Sequence, residues 1–182
     1  MNILVKPYGD SLCSCRPDTT WERENKDFYS PDCINEIYWT PIIFARICKA
    51  GKCIGEKFVE RYYDAVGFGV LLYCRAGDKF VECADHTSRL PHPLFSPIVL
   101  NQANTFTVYE QSSEIFGCNA GDLEDTLRKA VCNASQLTSL RIGDFVAAEL
   151  GSPEPLTDRE KGNIAVKGQF GEHIIFDFGI IL

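Results

Sequence analysis

The run Ala65–Cys74 (AVGFGVLLYC) narrows what this chain can fold into more than any other feature. It is apolar throughout, rich in β-formers, and shorter than the roughly 20 residues a helix needs to cross a bilayer. Gly67 and Gly69 lie on alternate positions, the mark of a bulge or of another backbone approaching closely. A second run, Pro41–Cys48 (PIIFARIC), reads as a buried strand and ends at the turn-like Ala50-Gly51-Lys52. Between the two, Glu56–Tyr63 places Phe58, Val59 and Tyr62 at helical spacing with charges between them. Strand, turn, short helix, strand is the expected centre of the fold.

Around that centre the elements are shorter. Residues 2–6 alternate weakly and predict a short strand. From Tyr8 to Asn35 the chain turns to Asp, Ser, Pro, Thr and charged residues, which predicts an extended loop or lid with one helical turn near Trp21–Asn25. Residues 1–36 are thus expected as a loop or lid segment of one domain spanning 1–182. Asp85–Pro97, crowded with proline and histidine, is expected to be irregular. Strands are expected at Pro97–Leu100, Thr105–Gln111, Asp144–Leu150, Asn163–Lys167 and His173–Ile180. The clearest helix is Asp122–Cys132, where Leu123, Leu127 and Val131 form one apolar stripe. Asp122, Glu124 and Asp125 sit at the positive end of its dipole, and Glu124–Arg128 and Asp125–Lys129 are favourable i,i+4 pairs. The class is mostly β (α+β), with two or three short helices.

The charge balance excludes one broad function. Eighteen basic against 25 acidic side chains leave a formal charge of −7, with no basic cluster, which disfavours a nucleic-acid partner. No segment is apolar for long enough to give a membrane partner. The nine cysteines are scattered, and Lys6 and Pro7 interrupt the N-terminal apolar residues before a signal-length stretch forms. A cytoplasmic protein with reduced thiols is the expectation.

Three stretches, in order, resemble the fumarylacetoacetate hydrolase family. The first is Thr40–Cys53, a short helix, and Tyr63–Cys74, similar to the family's Glu-x-Glu strand, turn, helix and Gly-Tyr-Thr-like strand ending in aspartate. The second is the helix 122–132 followed by Leu140-Arg141-Ile142-Gly143-Asp144-Phe145-Val146, which looks like the family's Leu-x-Pro-Gly-Asp-Val-Ile strand entry. The third is Lys161-Gly162-Asn163-Ile164-Ala165-Val166, at the place of a second Gly-Asp strand entry. The resemblance implies a rolled mixed β-sheet and a homodimer. It also implies chemistry in which carboxylate-held magnesium or manganese polarises an oxo acid or 1,3-dicarbonyl substrate.

Carried over residue by residue, that chemistry loses its parts. The two glutamate positions fall on Thr40 and Ile42, and the aspartate position falls on Tyr73. The expected lid holds no histidine for the family's His-x-x-Glu pair, and the lysine position lands between His86 and Arg89. The Thr-Gly-Thr-Pro loop that cups a substrate carboxylate maps onto Ala148-Glu149-Leu150-Gly151, where Glu149 repels an anion. Thr40, Tyr73 and Glu149 are therefore the candidate binding positions, with no metal ligand and no cofactor expected. The expected role is a diverged binder of a small molecule or a protein partner. The alternative is an active hydrolase, decarboxylase or tautomerase on a short oxo acid, using magnesium or manganese held by displaced carboxylates such as Glu36 or Asp78.

Two further groupings stand apart from the resemblance. Asp85 and His86, with Arg89 close by, form the one polar cluster resembling a catalytic set, since an acid-oriented histidine serves as a general base. Cys13, Cys15, Cys83 and His86 can be drawn as a zinc set, but they lack the paired spacing of structural zinc sites.

Overall fold

The computed structural model describes residues 1–182. Four short strands come first: β1 (Ile3–Lys6), β2 (Ser14–Arg16), β3 (Trp21–Glu22) and β4 (Phe28–Tyr29). The expected centre follows as β5 (Glu36–Ile47) and β6 (Tyr63–Ala76), separated by a 3₁₀ helix at Glu56–Arg61. After β7 (Lys79–Val81) and β8 (Ser88–Arg89) come β9 (Thr105–Glu110), β10 (Ser113–Asn119) and helix α1 (Glu124–Leu137). The chain ends with β11 (Phe145–Glu149), β12 (Glu154–Asp158), β13 (Ile164–Phe170) and β14 (His173–Ile181).

These strands make two mixed sheets. The larger runs β2-β1-β11-β5-β6-β8-β3, with β12 alongside β5 and β7 alongside β6. The smaller runs β10-β9-β13-β14-β4. The β5–β6 ladder is antiparallel from Glu36↔Arg75 to Ile47↔Tyr63 and forms the spine of the large sheet.

Period-two alternation along this spine creates two cores. Ile37, Trp39, Ile43 and Ala45 on β5, with Val66, Phe68, Val70 and Leu72 on β6, face the main core. There they meet the apolar stripe of α1 (Leu127, Val131) and the inner face of the small sheet (Phe106, Val166, Phe176). The opposite face carries Ile42, Phe44, Leu71 and Tyr73, which join Ile3, Val5, Phe145 and Ala147 in a second cluster inside the roll. Both faces of β5 and β6 are buried, which is why their sequences read as unbroken apolar runs.

The glycines of β6 do what their spacing predicts. A Cβ on Gly69 would lie 2.0 Å from the Arg89 carbonyl oxygen, and one on Gly67 would lie 2.3 Å from the Phe44 ring. β8 can therefore pair with β6 at Val70 and Leu71 only because position 69 lacks a Cβ.

Several segments differ from expectation. Pro97–Asn101 is a 3₁₀ helix and not a strand; Pro97 at its first turn fixes φ and supplies no N–H to a ladder. The stretch 8–35 carries β2, β3 and β4, which pair with both sheets, and it buries Arg16, Thr20, Glu22, Phe28 and Ile34. Trp21 and Glu22 are extended where a helical turn was expected, because Trp21↔Ser88 and Glu22↔Arg89 pair them to β8. Strands β7, β8, β10 and β12 were not foreseen, β8 lying inside the stretch 85–97 expected to be irregular. β10 is an edge strand lacking a fully buried residue, so no apolar alternation announces it. Helix α1 also outruns its expected end, since nothing in Asn133–Leu137 breaks a helix.

Candidate functional site

Three neighbouring strands, β11, β5 and β6, bring the candidate binding positions to one face, inside the roll. Tyr73 on β6 stands opposite Tyr38, and Glu149 on β11 stands opposite Ile42, with Thr40 between them on β5. The Tyr73 hydroxyl reaches over β5 and donates to Glu149 Oε1. The Tyr8 backbone N–H donates to Glu149 Oε2 at 2.9 Å, so both carboxylate oxygens are engaged. Thr40 turns its hydroxyl aside and donates to the Gly151 carbonyl at 2.6 Å.

A buried cation completes this set. Arg16, on β2, is fully buried, and its guanidinium lies 4.3 Å from the Tyr73 ring centroid. Its Nη1 donates to the Leu72 carbonyl at 3.0 Å, while Nε and Nη2 have no partner. Burial holds the Tyr73 phenol well above its ordinary pKa. Arg16, Tyr73 and Glu149 thus form a cation, a neutral phenol and a carboxylate in sequence. The Pro7–Tyr8 segment lies over Glu149 and borders two clefts. One, of about 480 Å³, is walled by Tyr73, Cys13, Ser14 and Phe80; the other, of about 580 Å³, by Phe116, Leu123, Leu150 and Lys129.

The predicted polar cluster is arranged differently from its sequence order. His86 does not turn to Asp85; its Nδ1 faces Glu22 Oε2 at 3.1 Å. Arg89 is buried, stacked 4.1 Å over Phe178, and donates from Nη1 to the Lys26 carbonyl. Burial lowers its pKa to about 10, with Glu22 and Asp27 opposing the shift. Glu22 was missed because it lies 64 residues before its partner in an unpatterned stretch, counting from 22 to 86. No local signal could have found it.

No protein-family model matches this sequence, and no curated protein matches it either. Solved structures do match its fold. A candidate fumarylacetoacetate hydrolase family protein from Yersinia pestis CO92 superposes with TM-score 0.77 at 14% identity, covering 99% of this chain and 92% of that one. Fumarylpyruvate hydrolase from Pseudomonas aeruginosa, solved with Mn²⁺ and pyruvate, gives 0.78 at 10% identity over 100% and 90% of the two chains. A third, 5-carboxymethyl-2-hydroxymuconate delta-isomerase from Mycobacterium smegmatis, gives 0.80 at 10% over 99% and 78%. The chain has the fumarylacetoacetate hydrolase fold.

The residues of this chain do not fit the metal that one structure of this fold contains. Magnesium and manganese take oxygen ligands, carboxylates foremost. Here no three His, Cys, Asp or Glu side chains stand close enough together to hold an ion. The one carboxylate in place, Glu149, already accepts two hydrogen bonds, and Arg16 sets a positive charge against the ring of its donor Tyr73. The displaced carboxylates do not make up the loss. Glu36 pairs with Arg75 at 3.1 Å and accepts the Tyr38 hydroxyl at the same distance, and Asp78 is fully exposed in the β6–β7 turn. Nor do Cys13, Cys15, Cys83 and His86 assemble into a metal set, and all nine thiols are free. No helix is long and apolar enough to cross a membrane.

Proposed function

We propose that this protein uses the fumarylacetoacetate hydrolase fold without metal-dependent carbon–carbon bond hydrolysis, binding a small molecule in the cytoplasm at the clefts beside Glu149. The observation that carries this reading is the Arg16–Tyr73–Glu149 array, which fills the face of β5 and β6 where the carried-over pattern has carboxylates. A divalent cation there would meet one satisfied carboxylate, two neutral side chains and a guanidinium. Its lost hydration would go uncompensated. Tyr73, Phe80, Phe116 and Leu150 supply apolar walls, and Glu149 supplies a fixed acceptor, the usual composition of a small-molecule cleft.

Calorimetric titration with Mg²⁺ and Mn²⁺, each with and without oxalate as an enolate mimic, tests this reading. The expected result is no binding at millimolar metal in either arm. Saturable binding strengthened by oxalate would overturn it and favour an active hydrolase or decarboxylase of oxo acids.

A further inference from the structure

A cleft of about 600 Å³ opens beside β3 and shares no lining residue with the clefts beside Glu149. Glu22 and His86 stand on its wall. The Glu22 side chain is only 5% exposed, and its Oε1 accepts the Glu24 N–H at 2.7 Å while Oε2 faces His86 Nδ1 at 3.1 Å. A carboxylate can only accept, so a neutral imidazole carries its proton on Nδ1 and leaves Nε2 as a free acceptor. The ring is 56% exposed, so that acceptor is within reach of a ligand.

The backbone of His86 has φ 60°, a left-handed conformation uncommon for non-glycine residues, though histidine adopts it more readily than most, and contacts around it hold it there. One such restraint is its N–H, which donates to the Thr19 carbonyl.

The other wall groups select the ligand's charge. Asp27 and Asp85 line the cleft, and Lys26 is taken up by Glu24 at 2.8 Å. Arg89 lies behind the wall, 2% exposed, with its Nη1 on the Lys26 carbonyl. Asp27, whose Oδ1 also accepts the Gly179 N–H at 2.7 Å, and Asp85 thus set carboxylates on the wall that carries the imidazole. Phe28, Tyr29 and Pro31 add apolar surface.

We infer that this cleft is a second binding site, for a small organic amine with an apolar body. The ammonium N–H groups donate to His86 Nε2 and to an aspartate of the wall, and the hydrocarbon part lies on Phe28 and Tyr29. An oxo acid meets repulsion at the same place.

The test is a titration of the protein with benzylamine, and separately with benzoate of similar size, followed by the NMR signals of the three histidine rings. Saturable shifts of the His86 signals by benzylamine, absent with benzoate, are expected. His86→Ala and Glu22→Gln should each weaken benzylamine binding about tenfold, through loss of the acceptor or of its orientation. Unchanged thermal unfolding of His86→Ala, an exposed position, separates this from misfolding. Equal response to both probes, no His86 shift with benzylamine, or unchanged binding by His86→Ala overturns the inference.

Discussion

The Tyr73 hydroxyl donates to the Glu149 carboxylate across the whole width of β5, joining strands that do not themselves pair. Removing that donor leaves Glu149 Oε1 buried without a partner. Tyr73→Phe is therefore expected to cost about 1–3 kcal/mol, the usual penalty for stranding a buried acceptor. A double variant with Glu149→Leu should cost less than the sum of the two single changes, because it removes both ends of one interaction. Urea denaturation of the three variants checks this, and strict additivity would refute it.

Tyr73 also gives the fold a sensitivity to alkali. Burial is the main cause of its raised pKa; Glu149 adds to the shift and Arg16 opposes it. Tyr63 is raised as well, again chiefly by burial. Above pH 10 the unfolded chain loses phenolic protons that the native chain retains, so the native state binds more protons. The stability these phenols contribute is fully present below pH 10 and declines as pH rises beyond it. Alkaline titration of phenolate absorbance should show two of the seven tyrosines ionising only as the protein unfolds. Smooth ionisation of all seven before unfolding would contradict it.

The two glycines of β6 should respond differently to substitution. At Gly67 the obstacle is the Phe44 ring, a side chain that can be trimmed. At Gly69 it is the Arg89 carbonyl, backbone of the neighbouring strand. Gly67→Ala is expected to destabilise by about 1–3 kcal/mol from overpacking, and Phe44→Leu in the same chain should recover part of that. Gly69→Ala should cost more, with no side-chain change restoring it. Thermal unfolding of the three variants distinguishes the two cases.

Much of this was legible in the sequence where one property decides structure. The buried runs of β5 and β6, the apolar stripe of α1 and the close approaches at Gly67 and Gly69 follow from periodicity and from the absence of a Cβ. The face shared by Thr40 and Ile42 also follows, since residues two apart on a strand share a side, whereas Tyr73 joins it only through the register that sets it opposite Tyr38. What stayed hidden depends on long-range pairing. Glu22 meets His86, and Arg16 meets Tyr73, from a stretch with no pattern of its own. The short strands that hold Arg16 and Glu22 exist only because β1 and β8 offer them edges. The hydrogen bonds of Glu149 to Tyr73 and Tyr8 belong to the roll of the sheet, which no local spacing encodes.

The same burial that shapes the cores sorts the thiols. Cys33, Cys53 and Cys83 are exposed, whereas Cys74 lies in the main core on β6. Burial pushes the Cys74 thiol up to about 11, with Arg16 opposing the shift, and does the same to Cys118, where Asp122 adds to it. Against an ordinary thiol near 9, that shift reduces the reactive thiolate about a hundredfold at a given pH, before any steric protection. Brief alkylation with iodoacetamide, read by mass spectrometry of the digested protein, should therefore modify Cys33, Cys53 and Cys83 well before Cys74 and Cys118. In denaturant all nine should react alike. Early labelling of Cys74 in the native protein would place β6 outside the core and undo the packing on which the Tyr73–Glu149 bridge depends.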